Sequence, residues 1–167
     1  MTVLRVLAAV PLLAWVWLAL LRGMYWRTDV RLAAAPDPAG WPSVAVIVPA
    51  RNEAEVLPQT LPTLVTQDYA GAFTVTLVDD GSTDGSGEYA ATQCVPVVDP
   101  GEPPHGWAGK LWALRSGVEA VGDVDYFLFT DADIAHRSGS LSCLVRVAEA
   151  DRLDVVSQMA RLRVQTG

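Results

Sequence analysis

The chain has 167 residues, enough for about one domain by the usual scaling. With 12 basic against 19 acidic residues and a formal net charge of −7, it carries no basic footprint for nucleic acid. Hydrophobic residues make up 51% of it, more than a purely soluble domain needs, and the excess gathers at the N-terminus.

Residues 6–21 carry no charge and are interrupted only by Pro11. Together with Val3 and Leu4, and with Arg5 able to snorkel, the stretch approaches the ~20 residues that span a bilayer. The sequence therefore predicts a transmembrane anchor over 1–22. A cleaved secretory signal is the rival reading. Its only Ala-x-Ala candidate, Ala33 to Ala35, stands far beyond the apolar run and behind Arg22, Arg27 and Arg31, too distant and too basic for such a site. The basic weight of that flank predicts that the domain beyond the anchor faces the cytoplasm, with the anchor in the inner or plasma membrane. Residues 23–42 read as a juxtamembrane linker, from the Pro, Ala and Gly content of 33–40.

Beyond it, strands and helices alternate. Apolar β-branched runs predict strands at 44–48, 73–78, 95–98, 126–130 and 153–157. Pro49 is expected to end the first, since proline cannot donate to a ladder. Helices are expected at 53–66, 85–92, 109–121 and 138–150. This alternation predicts an α/β fold over 43–167, a Rossmann-like, doubly wound and mostly parallel sheet. Cys94 and Cys143 show no metal-ligand or CxxC spacing and read as buried, reduced thiols.

The chemistry gathers where strands end, the edge at which open α/β sheets bind ligands. Pro49-Ala50-Arg51-Asn52-Glu53 is either a helix start favoured by the dipole or a carboxylate and guanidinium poised to hydrogen-bond a nucleoside. Asp79-Asp80-Gly81-Ser82-Thr83-Asp84-Gly85 has turn and capping composition. It also begins with calcium-loop spacing, but the twelfth position is Ala91 rather than a bidentate glutamate, so that reading fails. Gly106-Trp107-Ala108-Gly109-Lys110 brings a lysine to a helix N-terminus, where it is either simply solvated or placed to meet a phosphate. It is no P-loop, because residue 104 is proline and residue 111 leucine. Asp131-Ala132-Asp133 offers two hard oxygen ligands for Mg²⁺ or Mn²⁺ holding a diphosphate.

Those four motifs, in that order, resemble the nucleotide-binding half of family-2 glycosyltransferases, enzymes of the A-type glycosyltransferase fold. The match spans about residues 43–157. The strings Gly109-Lys110-Leu111-Trp112-Ala113 and Asp131-Ala132-Asp133-Ile134-Ala135-His136, with residues 156–163, look like the hopanoid-associated branch. The resemblance implies that Pro49, Arg51 and Glu53 line a nucleoside pocket and that Asp80 hydrogen-bonds the base, typically uracil. It implies Lys110 at the diphosphate or donor sugar, Asp131 at the ribose or metal region, and Asp133 as ligand of a divalent metal. That metal neutralises charge building on the leaving nucleoside diphosphate. His136 reads as a surface or capping histidine rather than a site residue.

The implied activity is inverting transfer of a sugar from a nucleotide-sugar, expected to be a UDP-sugar, to a hydroxyl acceptor such as a lipid or hopanoid. The family also uses a later carboxylate as general base and often a Gln-x-x-Arg-Trp motif. No Gln-x-x-Arg-Trp motif follows Asp133 here, and Asp151 and Asp154 fall within the next αβ unit rather than in an acceptor domain, while Arg161, Arg163 and Gln165 still read as mid-domain sequence. The expectation is a chain truncated at its C-terminus, with no catalytic base of its own. The alternative is a non-catalytic nucleotide-sugar-binding module. A nucleotidyltransferase would need a glycine-rich basic loop after the first strand, which 49–53 lacks.

Overall fold

Val44 to Val48 are small or β-branched and entirely apolar, and in the computed structural model they are buried at the centre of a sheet. This strand, β1 (Val44–Ala50), pairs in parallel with β2 (Phe73–Asp79) along its whole length, from Val44↔Phe73 to Ala50↔Asp79. On its other side β4 (Tyr126–Phe129) pairs from Val44↔Tyr126 to Ile47↔Phe129. The short β3 (Val97–Val98) completes a four-stranded parallel sheet of order β3-β2-β1-β4. The structure describes residues 2–22, 32 and 34–160, the side chains of 2–8 excepted.

Helices cover both faces, so the doubly wound α/β expectation holds. α2 (Leu57–Val65) and α3 (Ser86–Thr92) pack on one face, where Leu57, Leu61, Leu64 and Ala90 meet Val46, Val48 and Leu77. α5 (Ser140–Asp151) adds Leu141 and Val145 against Val44. α4 (Gly109–Val121) covers the opposite face, with Ala113 against Ile47 and Val78. Each fully buried leucine contributes about 1.5–3 kcal/mol of transfer free energy. At Gly117 a Cβ would stand 2.6 Å from Ile47 Cγ2 and 2.8 Å from Val78 Cγ2, so glycine sets how closely α4 approaches the sheet.

Several elements differ from expectation. β1 runs through Pro49 to Ala50. Ala50 O accepts from Asp80 N on the β2 side, while Ile47 O accepts from Thr130 N on the β4 side. Alternation then directs Pro49 toward β4, whose pairing has ended at Phe129, so its missing N–H interrupts no ladder. α2 begins at Leu57 rather than residue 53, and the residues before it form a turn in which Glu53 O accepts from Val56 N and Leu57 N. The strand expected at 153–157 does not form. Leu153 and Val155 are exposed, and no described strand pairs with them. The cysteines are unpaired, but Cys94 is exposed rather than buried.

The chain divides into two units. One is residues 34–156 and contains the sheet. The proline-rich stretch before β1 is tied into it by Arg146 Nε donating to Asp37 Oδ1 (2.6 Å) and by Trp41, which lies edge-on to Tyr69 at 5.1 Å. The other unit is residues 1–33 with 157–167, and it includes α1 (Thr2–Leu20), which carries Pro11 within it. Along α1 most described side chains, including Leu12, Leu13 and Trp15, are exposed, and Leu18 and Ala19 are half-buried. Among the described residues no helix is long and apolar enough to cross a membrane, so the transmembrane helix expected over 1–22 is not borne out. The basic flank at Arg27 and Arg31, and the mid-domain residues Arg161, Arg163 and Gln165, lie outside the described residues.

Candidate functional site

The carboxyl ends of β1, β2 and β4 lie side by side, and the N-terminus of α4 joins them. Between them is a cleft of about 290 Å³. Pro49, Arg51 and Glu53 line it from the turn after β1, Asp80 from the end of β2, Lys110 from α4, and Asp131 and Asp133 from the loop after β4. Every site residue expected from the sequence is therefore in one cleft, although the four motifs span more than eighty positions of the chain.

The turn after β1 is held from outside. Asn52 N donates to Ser82 Oγ (3.0 Å), Glu53 N to Ser86 Oγ (2.8 Å) and Ala54 N to Asp84 Oδ2 (2.9 Å). Asn52 Oδ1 accepts in return from Thr83 N (2.9 Å). The segment after β2 is thus a clamp whose Ser, Thr and Asp side chains satisfy backbone donors of its neighbour. Asp79 Oδ1 accepts from Ser82 N (2.9 Å) and shapes the loop itself. Asp80 alone of the three aspartates there turns into the cleft. Asp84 accepts from Ser86 through both its N–H and its hydroxyl. The Ser86 hydroxyl and the Ala54 N–H hold the Asp84 carboxyl below its ordinary value. This is the physical role of the aspartate whose spacing imitates a calcium loop.

Electrostatics in the cleft pull two ways. Burial is the largest cause raising the Glu53 pKa, followed by the charges of Asp133, Asp84 and Asp131. Two basic side chains partly offset the acidic group. Lys110 Nζ meets Asp131 Oδ1 at 2.5 Å, and Arg51 Nη1 meets Asp80 Oδ2 at 3.4 Å. Lys110 and Arg51 are 58% and 68% exposed, so these pairs hold little folding energy and both cations can turn to an incoming anion. Gly109 permits the arrangement, since a Cβ there would stand 2.9 Å from Asp80 Oδ2.

His136 does not line the cleft. It is half-buried, its Nε2 lies 2.9 Å from Thr130 Oγ1, and burial lowers its pKa. Sequence reasoning missed Ala113, which forms part of the apolar floor. It also missed Ser86, whose buried hydroxyl bridges Glu53 and Asp84.

Among the described residues no three His, Cys, Asp or Glu side chains converge as a metal site. Asp131 and Asp133 nevertheless fit Mg²⁺ or Mn²⁺ held jointly with a substrate, because such ions take one or two carboxylates and complete their shell with phosphate oxygens and water.

The family profile described as Glycosyl transferase family 2 matches residues 45–165. A curated N-acetylglucosaminyltransferase of Mesorhizobium japonicum is 45% identical over 60 residues, 34% of this chain and 14% of that protein. Among solved structures, a mannosyltransferase of Pyrobaculum calidifontis in complex with GDP-Man and Mn²⁺ is similar, with 31% identity and TM-score 0.54 over 74% of this chain and 38% of that one. Mannosyl-3-phosphoglycerate synthase from Rubrobacter xylanophilus shares the fold at 20% identity and TM-score 0.51, over 65% of this chain and 37% of that one. The chain therefore spans well under half the length of each of these relatives.

Proposed function

This chain belongs to glycosyl transferase family 2, and from that premise we propose that its cleft binds the nucleoside diphosphate of a nucleotide-sugar donor. The observation that carries the reading is the convergence of Glu53, Asp80, Lys110, Asp131 and Asp133 on one cleft at the carboxyl edge of a parallel sheet. Asp80 accepts a hydrogen bond from the base, and Glu53 and Arg51 border the nucleoside. A UDP-sugar is the donor favoured by the resemblance of these motifs.

Asp131 and Asp133 would hold a divalent Mg²⁺ or Mn²⁺ ion together with the diphosphate. When bound, that ion neutralises charge on the departing nucleoside diphosphate. Lys110 leaves Asp131 for a diphosphate oxygen and adds a second positive charge at the same point. The similarity to a mannosyltransferase solved with GDP-Man and Mn²⁺ supports this donor chemistry.

The reaction proposed for the whole protein is inverting transfer to a hydroxyl acceptor, a lipid such as a hopanoid being the acceptor class favoured by the branch resemblance. The exposed apolar side chains of α1 support attachment of the N-terminal unit to a membrane, with the sheet unit on the cytoplasmic side. Among the described residues, no carboxylate beyond Asp133 lines the cleft. That observation favours a second reading, in which the present chain binds a donor without turning it over.

Calorimetric titration with UDP, GDP and UDP-sugars, with and without Mn²⁺, tests the proposal. Metal-dependent binding that Asp133→Ala abolishes supports it, and no binding to any nucleoside diphosphate overturns it. Turnover with a lipid acceptor separates the transferase from the donor-binding module.

A further inference from the structure

The loop that carries Asp131 and Asp133 is gripped from behind by one polar stripe of α2 and the residues after it. Thr60 and Gln67 are polar yet only 5% and 8% exposed. Thr60 Oγ1 donates to Ala132 O at 2.6 Å, and Ala132 is the buried residue between the two carboxylates. Its distance to Val56 O in its own helix is longer, 3.2 Å. Three residues on, Thr63 Oγ1 accepts from His136 N (2.9 Å) and donates to Thr60 O (2.6 Å). Gln67 Nε2 then donates to Arg137 O (2.9 Å), while its Oε1 accepts from Leu141 N (3.0 Å). Spacings of three and seven place these side chains on one face of a helical path.

Threonine mid-helix ordinarily bonds back to its own turn, whereas the shorter bond of Thr60 leaves the helix for a carbonyl 72 residues away. With Ala132 O held inward, Asp131 and Asp133 are left exposed on either side of it. We propose that Thr60, supported by Thr63 and Gln67, is a positioning residue that fixes the separation and aim of Asp131 and Asp133 for a metal-bound diphosphate. The inference rests on the nucleotide-sugar reading of the cleft. Removing a group that orients ligating carboxylates costs about 10–100-fold in metal affinity.

The test uses the full chain, with Mn²⁺ and UDP as probes. Thr60→Val removes the hydroxyl at nearly constant volume, Thr60→Ser keeps it, and Leu64→Ala damages the apolar face of the same helix while removing none of these hydrogen bonds. Metal-dependent UDP affinity is expected to fall about tenfold or more in Thr60→Val, to return in Thr60→Ser, and to stay within about twofold of the unaltered chain in Leu64→Ala, although that variant loses the most thermal stability. Amide exchange over residues 131–137 is expected to rise in Thr60→Val alone. Unchanged UDP affinity in Thr60→Val, or an equal loss in Leu64→Ala, overturns the positioning role and leaves the nucleotide reading standing. Failure of the unaltered chain to bind any Mn²⁺–nucleotide overturns both.

Discussion

The acidic and basic sides of the cleft are built differently. On the acidic side, the turn bearing Glu53 is clamped by Ser82, Asp84 and Ser86, and the loop bearing Asp131 and Asp133 is gripped by Thr60, Thr63 and Gln67. On the basic side, residues 101–108 leading to Lys110 are all exposed. The described hydrogen bonds there are short-range, such as Gly101 N to Asp99 Oδ1 and Trp112 Nε1 to Pro100 O. The difference teaches that the charges the fold must force together are held by hydrogen bonds from distant parts of the chain, while those that attract a ligand are left free to turn. Like charges repel and need preorganisation, whereas a lysine finds a phosphate without help.

The largest expected effect comes from loosening the clamp. Ser86→Ala leaves Glu53 N and Asp84 without their buried partner and should cost about 1–3 kcal/mol of unfolding free energy, read by urea denaturation. Lys110→Ala should change stability by less than about 1 kcal/mol, since its ion pair is exposed. The same substitution should lower nucleoside diphosphate affinity about tenfold, a loss of about 1.4 kcal/mol. Equal losses of stability in the two variants would erase the distinction between the sides.

Acid provides a further probe. Accepted hydrogen bonds hold two carboxyls below 3.8: Asp84 chiefly by the Ser86 hydroxyl, and Asp125 by Ser43 through its N–H and then its hydroxyl. In the unfolded chain these groups bind protons more readily than in the fold. Their stabilisation is therefore present above the ordinary carboxyl value and is lost as pH falls through the lowered folded values. Asp84→Asn should flatten the stability–pH curve in that acid range, as measured by thermal unfolding from pH 5 down to about pH 2. The smallest effect is expected for Arg51→Ala, since the Arg51 side chain is 68% exposed and its pair with Asp80 is long, at 3.4 Å. Its stability should match the unaltered chain within about 0.5 kcal/mol.

How much of this is legible in the sequence depends on the range of the interaction. α4 is read to its exact ends, because Gly109 and Gly122 bracket a continuous helical stretch. The strand-end motifs were legible as well, since a parallel sheet carries every such end to one edge. Pro49 misleads because whether its missing donor matters depends on where β4 stops pairing, a fact outside the local sequence. The apolar run at 153–157 has strand composition and no described neighbour to pair with. Thr60, Thr63 and Gln67 carry no local signal at all, as their partners lie 70 to 74 positions away.

The central claim is that Asp131 and Asp133 hold a metal only together with a nucleoside diphosphate. Electron paramagnetic resonance of Mn²⁺ titrated with the full chain tests it most directly. The account predicts little loss of the free Mn²⁺ signal with protein alone, and a loss on adding UDP that exceeds what UDP causes by itself and disappears in Asp133→Ala. A UDP-dependent loss that Asp133→Ala leaves intact would contradict it.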